Sequence, residues 1–298
     1  MNQYAKTIIK HLDKITASGN RPSVVFQDFL DITLDTLEAM PRHVRSAVRE
    51  GKFAEDTPEV AARFARLRER YASQFYWENF SLAFLALLES AEGEEGTVEW
   101  NDTIGYVYMD WGVPNKYTGQ FFTPHHVARA MGNIIASNME DDVYKRLEQA
   151  YLKSTVGKMH EFMVGSERVS KFVRSMGADL IPYCAEHIQP ITVCDPAVGS
   201  GVMLLAVAEQ TPRWALNWGL VQFWGMDIDQ TCVTMCKINC MLYGLNGYNL
   251  KNALELSAIE LQAIPEPYAS KYAEAQANPE NVESIADEIR QYKQDALL

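Results

Sequence analysis

Val193-Cys194-Asp195-Pro196-Ala197-Val198-Gly199-Ser200-Gly201-Val202-Met203-Leu204-Leu205 is the stretch on which the reading of this chain turns. Residues 191–194 are an apolar run that ends in an acid, passes through a turn of small residues and enters an apolar helix. That order predicts a strand, a loop for a phosphate or carboxylate, and a helix N-terminus, where open α/β sheets hold their ligands. Gly199 and Gly201 allow the backbone to approach a ligand closely, and Asp195 can accept hydrogen bonds from it. The spacing is neither G-x-G-x-x-G nor G-x-x-x-x-G-K-[ST], so the dinucleotide fingerprint and the P-loop are both unmatched. The same letters also suit a plain strand–turn–helix joint.

Two neighbouring segments add to this. Phe223-Trp224-Gly225-Met226-Asp227-Ile228-Asp229 reads as a second short strand ending in an acid. The end of the next parallel strand is where a ribose diol is held, because one carboxylate accepts both O–H donors. Asp227 is the candidate for that role, with Ile228 against the adenine face, and Asp229 is expected to cap the helix over 230–243. Upstream, Tyr117-Thr118-Gly119-Gln120-Phe121-Phe122-Thr123-Pro124 precedes a helix expected over 125–135. Thr123 and Pro124 form a cap and first-turn pair. A glycine, two aromatics and a hydroxyl ahead of a helix also suit the methionine end of a cofactor.

Together the three segments resemble the N-6 adenine DNA methylase family, in particular the modification subunits of type I restriction-modification systems. Gly119-Gln120-Phe121-Phe122-Thr123-Pro124 resembles the segment that precedes that family's nucleotide fold. Asp195-Pro196-Ala197-Val198-Gly199-Ser200-Gly201 resembles its cofactor loop, and Gly225-Met226-Asp227-Ile228-Asp229 its ribose-binding strand end. The order, with the Phe-Thr-Pro segment first, is the family's γ arrangement. Tyr108-Met109-Asp110-Trp111-Gly112-Val113-Pro114-Asn115-Lys116 is similar to a lead-in of short methylase-like proteins of phages and mobile elements, and the resemblance spans residues 104–255. It implies an α/β, Rossmann-like fold and S-adenosylmethionine as cofactor. The implied contacts are Gln120, Phe121 and Thr123; Asp195, Pro196, Gly199, Ser200 and Gly201; Asp227 and Ile228. Asn252 stands near a family Asp that accepts from the cofactor's adenine amine, and its amide oxygen can do so without charge.

One family feature is missing. Members carry Asn-Pro-Pro-Tyr, or a close variant, after the fourth strand, because adenine's exocyclic amine is a poor nucleophile. Hydrogen bonds from that amine to the Asn and to a Pro carbonyl favour transfer, while the aromatic ring stacks on the flipped base. Here the corresponding place reads Ile264-Pro265-Glu266-Pro267-Tyr268. Pro267 and Tyr268 are the catalytic candidates, and Pro265 stands where the Asn belongs. Asn278-Pro279 reads as a helix start. Two functions therefore follow: an adenine-N6 DNA methyltransferase of restriction-modification type, or a catalytically silent regulatory or anti-restriction subunit derived from one. A small-molecule or protein methyltransferase is a third possibility, for which no substrate motif is visible.

Composition sets the bounds. The 298 residues are 47% hydrophobic and 22% charged, as in an ordinary globular protein. No apolar run reaches the roughly twenty residues of a membrane span. Met1-Asn2-Gln3-Tyr4-Ala5-Lys6 shows no signal pattern, and five cysteines without a C-x-x-C pair fit a reducing compartment, so a cytoplasmic location is expected. A net charge of −12 opposes an unaided grip on DNA phosphates. A partner specificity or methylase subunit is expected to supply most DNA contacts, within an oligomer.

Residues 1–103 read as a helical domain, with apolar periodicity over 3–15 and 24–40, a stop at Pro41, and one long or two joined helices over 60–91. Residues 104–268 read as the methyltransferase-like domain, with a helical insertion at about 139–189 that contains helices over 139–151 and 164–176. Residues 248–254 resemble a third strand, and 269–298 a helical tail. About four strands are legible where the family has seven, so the sheet is cut short and leaves an edge to be covered. Arg63, Arg66, Arg68 and Arg70 read as a solvated helix side. Cys232, Cys236 and Cys240 read as small hydrophobes rather than metal ligands, and no metal is expected. His125 and His126 diverge as neighbours on a helix, and Trp218 and Trp224 read as core.

Overall fold

The computed structural model describes residues 3–92, 99–111 and 123–245, with the side chains at 44, 45 and 47–50 left aside. Gln120, Phe121, Asn252, Pro267, Tyr268, the third strand and the tail over 269–298 lie outside the described residues. The described residues fall into two units, one within 1–140, 191–217 and 221–247, the other within 141–190 and 218–220.

The first unit begins with helices. In α1 (Gln3–Thr16) Ala5, Ile8, Leu12 and Ile15 recur at three- and four-residue steps, and all four are buried. α2 (Pro22–Glu50) buries Val25, Phe26, Phe29 and Leu30 and runs through Pro41, where the sequence predicted a stop. Proline removes a single amide donor, and Pro41 itself is exposed on the helix. α3 (Pro58–Arg70) and α4 (Gln74–Glu89) are two helices rather than one, each with its own cap: Thr57 Oγ1 accepts from Val60 N–H and Ser73 Oγ from Phe75 N–H. Two of the four clustered arginines are tied to α2. Arg70 Nη1 donates to Asp28 at 2.6 and 2.9 Å, and Arg63 lies 3.4 Å from Asp35. α5 (Thr103–Asp110) adds Ile104, Val107 and Tyr108 to the same core.

Two parallel strands follow, β1 (Ile191–Asp195) and β2 (Val221–Gly225), paired from Ile191↔Val221 to Asp195↔Gly225. Between them run α11 (Val202–Glu209) and α12 (Arg213–Asn217), numbered after the helices α6–α10 described below; α13 (Gln230–Leu242) comes after β2. Side chains alternate across a sheet, so Val193 and Phe223 share one face, and Cys194 and Trp224 the other. On the second face Cys194 is exposed. Trp224 is 59% exposed, which corrects its reading as core. Hydrophobicity marks a residue for burial, but only a covering layer buries it. The architecture is mostly helical with a two-stranded parallel sheet among the described residues, compatible with a methyltransferase domain; the third strand read from the sequence lies outside them.

Cys232, Met235 and Ile238 of α13 belong to the core that α1, α2, α4 and α5 build, so the helix after β2 completes the core of the N-terminal helices. α6 (His125–Ile135) packs on α11, where Gly132 is required. A Cβ there would stand 2.6 Å from Ala206 O.

The second unit holds most of α7 (Met139–Lys153), with α8 (Thr155–Val164), α9 (Ser166–Met176) and the short α10 (Ile181–Cys184). The helix expected over 164–176 is preceded by a separate one, because Gly165 at φ +83° breaks the chain between α8 and α9. Leu147, Tyr151, Val169 and Val173 are buried, and His160 meets Phe172 edge-on at 4.6 Å. Among the described residues no helix is long and apolar enough to cross a membrane.

Candidate functional site

The loop between β1 and α11 is shaped first by its own acid. Asp195 Oδ1 accepts from Ala197 N–H at 3.0 Å, which turns the chain as soon as the strand ends. Val198 N–H donates to the Met226 carbonyl at 2.8 Å, and Met226 N–H donates to Asp195 O at 3.0 Å. Gly225 makes this closure possible: a Cβ there would fall 2.7 Å from Val198 Cγ2. Gly199 and Gly201 both take positive φ, +54° and +95°, so the small residues read from the sequence carry the left-handed backbone of the turn. Beneath Gly201 lies Cys236, whose Sγ would be 3.1 Å from an added Cβ.

Asp227 meets this loop directly. Its Oδ2 accepts from Gly199 N–H at 2.9 Å and its Oδ1 from Asp229 N–H at 2.9 Å. A carboxylate has about four acceptor positions, so capacity remains for two further donors. Ile228, beside it, is fully exposed, and Met226 is 57% exposed. Asp229 caps α13 as its position in the sequence predicted, accepting from Thr231 N–H at 2.8 Å. Behind the acids lies Tyr108, buried, its phenol pushed up to about 12 by burial and then by the neighbouring Asp229, Cys232 and Asp227.

Thr123 and Pro124 enter from the other side of the sequence. Pro124 takes the cap position of α6 with no side-chain capping bond, so the expected Thr123 cap is replaced. A proline at the cap brings no side-chain acceptor. α6 is held to α11 by Ala128 against Val202 and Ala206, and by a two-pronged ion pair between Arg129 and Glu209, with Nε to Oε2 at 2.8 Å. That packing brings the segment after the Phe-Thr-Pro letters against the helix after the loop.

Ser200 is placed differently from its glycine neighbours. It is buried, and its hydroxyl donates to Asp102 Oδ2. Asp102 caps α5 through Gly105 N–H at 3.0 Å and also accepts from Asn239 Nδ2 at 2.8 Å. Asn239 Nδ2 donates a second bond, to Ser200 O, at 2.8 Å. Burial raises the Asp102 carboxyl above the ordinary carboxylate range, against the bonds from Ser200, Asn239 and Gly105 and the nearby His125 ring. Asp102 and Asn239 were not among the residues singled out by sequence. Asp102 ahead of Thr103-Ile104-Gly105 is a helix-cap signal, but nothing local announces that it reaches Ser200.

The glycine turn after β1 and the acid just beyond β2 thus meet at one end of the parallel strand pair, the end at which open α/β sheets hold ligands. Residues 167–280, less than half of the chain, match the family model of the N-6 DNA Methylase family. The match contains the loop and Asp227, and it supports a DNA adenine methyltransferase-like function with DNA as the substrate class. No curated protein and no solved structure matches the chain.

Proposed function

We propose that this protein binds S-adenosylmethionine at the 195–201 loop and Asp227, and serves adenine-N6 methylation of DNA in a restriction-modification setting, together with a partner subunit. The observation that carries the reading is the Gly199–Asp227 contact. It fixes a half-exposed carboxylate, with acceptor capacity to spare, at the mouth of a loop built from two positive-φ glycines. Asp227 would take the ribose hydroxyls, Ile228 would cover one face of the adenine ring, and Asp195, Pro196, Gly199 and Gly201 would line the loop side. Gln120, Phe121, Thr123 and Asn252 are proposed to complete the binding set. When bound, the cofactor supplies a methyl group on a sulfonium centre. The chain's own part is to orient that group and to exclude water from it. DNA contacts would come mainly from the partner, since this chain carries a net charge of −12.

A second reading keeps the cofactor and drops the transfer, leaving a regulatory or anti-restriction subunit. It is favoured by Ile264-Pro265-Glu266-Pro267-Tyr268, where Pro265 replaces the Asn that would hold the target amine. Calorimetric titration with S-adenosylmethionine tests the part common to both, and absence of binding to the wild-type chain overturns it. Radiolabelled methyl transfer to genomic DNA, with and without candidate partner subunits, separates them. Activity abolished by Asp195→Ala supports the methyltransferase, and binding without transfer supports the silent subunit.

A further inference from the structure

We propose that Asp102, at the start of α5, is a positioning residue for the loop: through Ser200 and Asn239 it sets the shape in which residues 195–201 meet the cofactor. The inference rests on the cofactor reading given above.

Three side chains of distant origin close on one another here. Asp102 is 5% exposed, and Ser200 and Asn239 are 1% exposed each. Asp102 receives the Ser200 hydroxyl on Oδ2, and on Oδ1 the Asn239 amide and the Gly105 backbone. Asn239 Nδ2 has two acceptors, Asp102 Oδ1 and Ser200 O, which fixes the orientation of its amide. Ser200 is therefore gripped at its hydroxyl and at its carbonyl. The residues on either side of it are Gly199 and Gly201, the two with positive φ, which offer the least resistance of their own to a change of backbone shape. A loop with a hinge on each flank keeps one conformation only if its middle is held.

The grip leads back to the proposed site by two routes. Gly199, next to Ser200, donates to Asp227. Gly201, on the other side, rests over Cys236 of the helix that also carries Asn239. Gly105 is fitted to the same purpose, since an added Cβ there would overlap the Asp102 carboxylate at 2.1 Å. Asp102 touches neither the proposed ribose acceptor nor the open side of the loop, so its effect passes through Ser200.

The test uses the full chain with Asp102→Ala, Asp102→Asn and Ser200→Ala. Titration with S-adenosylmethionine gives the affinity, and thiol labelling read by mass spectrometry gives the loop without any ligand. Cys236 reports whether Gly201 still covers it, while Cys232, buried in the core of the N-terminal helices, reports unfolding of the same unit. The expected result is at least tenfold weaker cofactor binding in Asp102→Ala, a smaller loss in Asp102→Asn, and Cys236 labelled faster while Cys232 stays protected. Binding within twofold of wild type in Asp102→Ala overturns the proposal. Should wild type itself fail to bind, the cofactor reading falls alone. The positioning role is then decided by Cys236, whose unchanged labelling rejects it and whose selective exposure sustains it. If Asp102→Ala exposes both thiols, Ser200→Ala decides: wild-type binding and labelling there overturn the proposal, and weakened binding with Cys232 protected supports it.

Discussion

The Gly199 amide donates to the Asp227 carboxylate at 2.9 Å, joining residues 28 positions apart in the chain. The loop and the acid at the end of the next strand are thus one object. Asp227→Ala removes both the acceptor of the loop amide and the proposed ribose partner. A hydrogen bond to a charged group contributes about 1.5–3 kcal/mol, so S-adenosylmethionine affinity should fall by roughly one to two orders of magnitude. Asp227→Asn, which keeps one carbonyl oxygen, should fall less. Calorimetric titration of the three proteins checks the order.

Gly132 lets α6 close on α11. Gly132→Ala puts a methyl 2.6 Å from Ala206 O and 2.8 Å from its Cβ, so the two helices must move apart. Overpacking of this kind costs about 1–3 kcal/mol. A lowered denaturant midpoint is the expected result, accompanied by weaker cofactor binding because α11 starts at the loop.

Asp28 joins α2 to the end of α3. It accepts from Tyr71 Oη at 2.6 Å and from Arg70. Tyr71 is fully buried, and Asp28→Ala leaves its hydroxyl without that acceptor, at a cost of about 1–3 kcal/mol. Arg70 is half exposed, turns to water and adds little. Urea unfolding of Asp28→Ala against Tyr71→Phe should show effects well short of additive in the double variant, because both remove the same bond.

Asp102 predicts a pH signature. Burial raises its carboxyl above the ordinary range in the folded chain. A group raised in this way favours folding in its protonated form, and the contribution is lost as pH climbs through the folded value. Wild type should therefore gain stability relative to Asp102→Asn as pH falls from neutrality towards about 4, and lose that advantage on the way back. Parallel urea titrations across that range measure the gap, and a gap independent of pH contradicts the assignment.

What could be read from the letters was local. The Asp195–Gly201 turn and the Asp229 cap rest on bonds spanning two or three residues, and both stand as expected. The burial of α1 follows from its periodicity, and α6 occupies the helix expected over 125–135. What escaped depends on distant partners. Asp102 and Ser200 are 98 residues apart, and neither letter names the other. Pro41 was read as a stop although its place on an open helix side makes it tolerable. Trp224 was read as core because its ring is apolar, but its place at the end of β2 leaves it 59% exposed. The match over residues 167–280 takes in the loop and Asp227, whereas the Phe-Thr-Pro letters fall before it.

Sharing Cys232, Met235 and Ile238 with the N-terminal helices makes trimming this protein hazardous. A fragment started at residue 104 would strip α13 of its packing partners and take away Asp102 in the same cut. The glycine loop is in that sense not a detachable cassette: Ser200 at its middle is held by Asp102, from a distant stretch of chain.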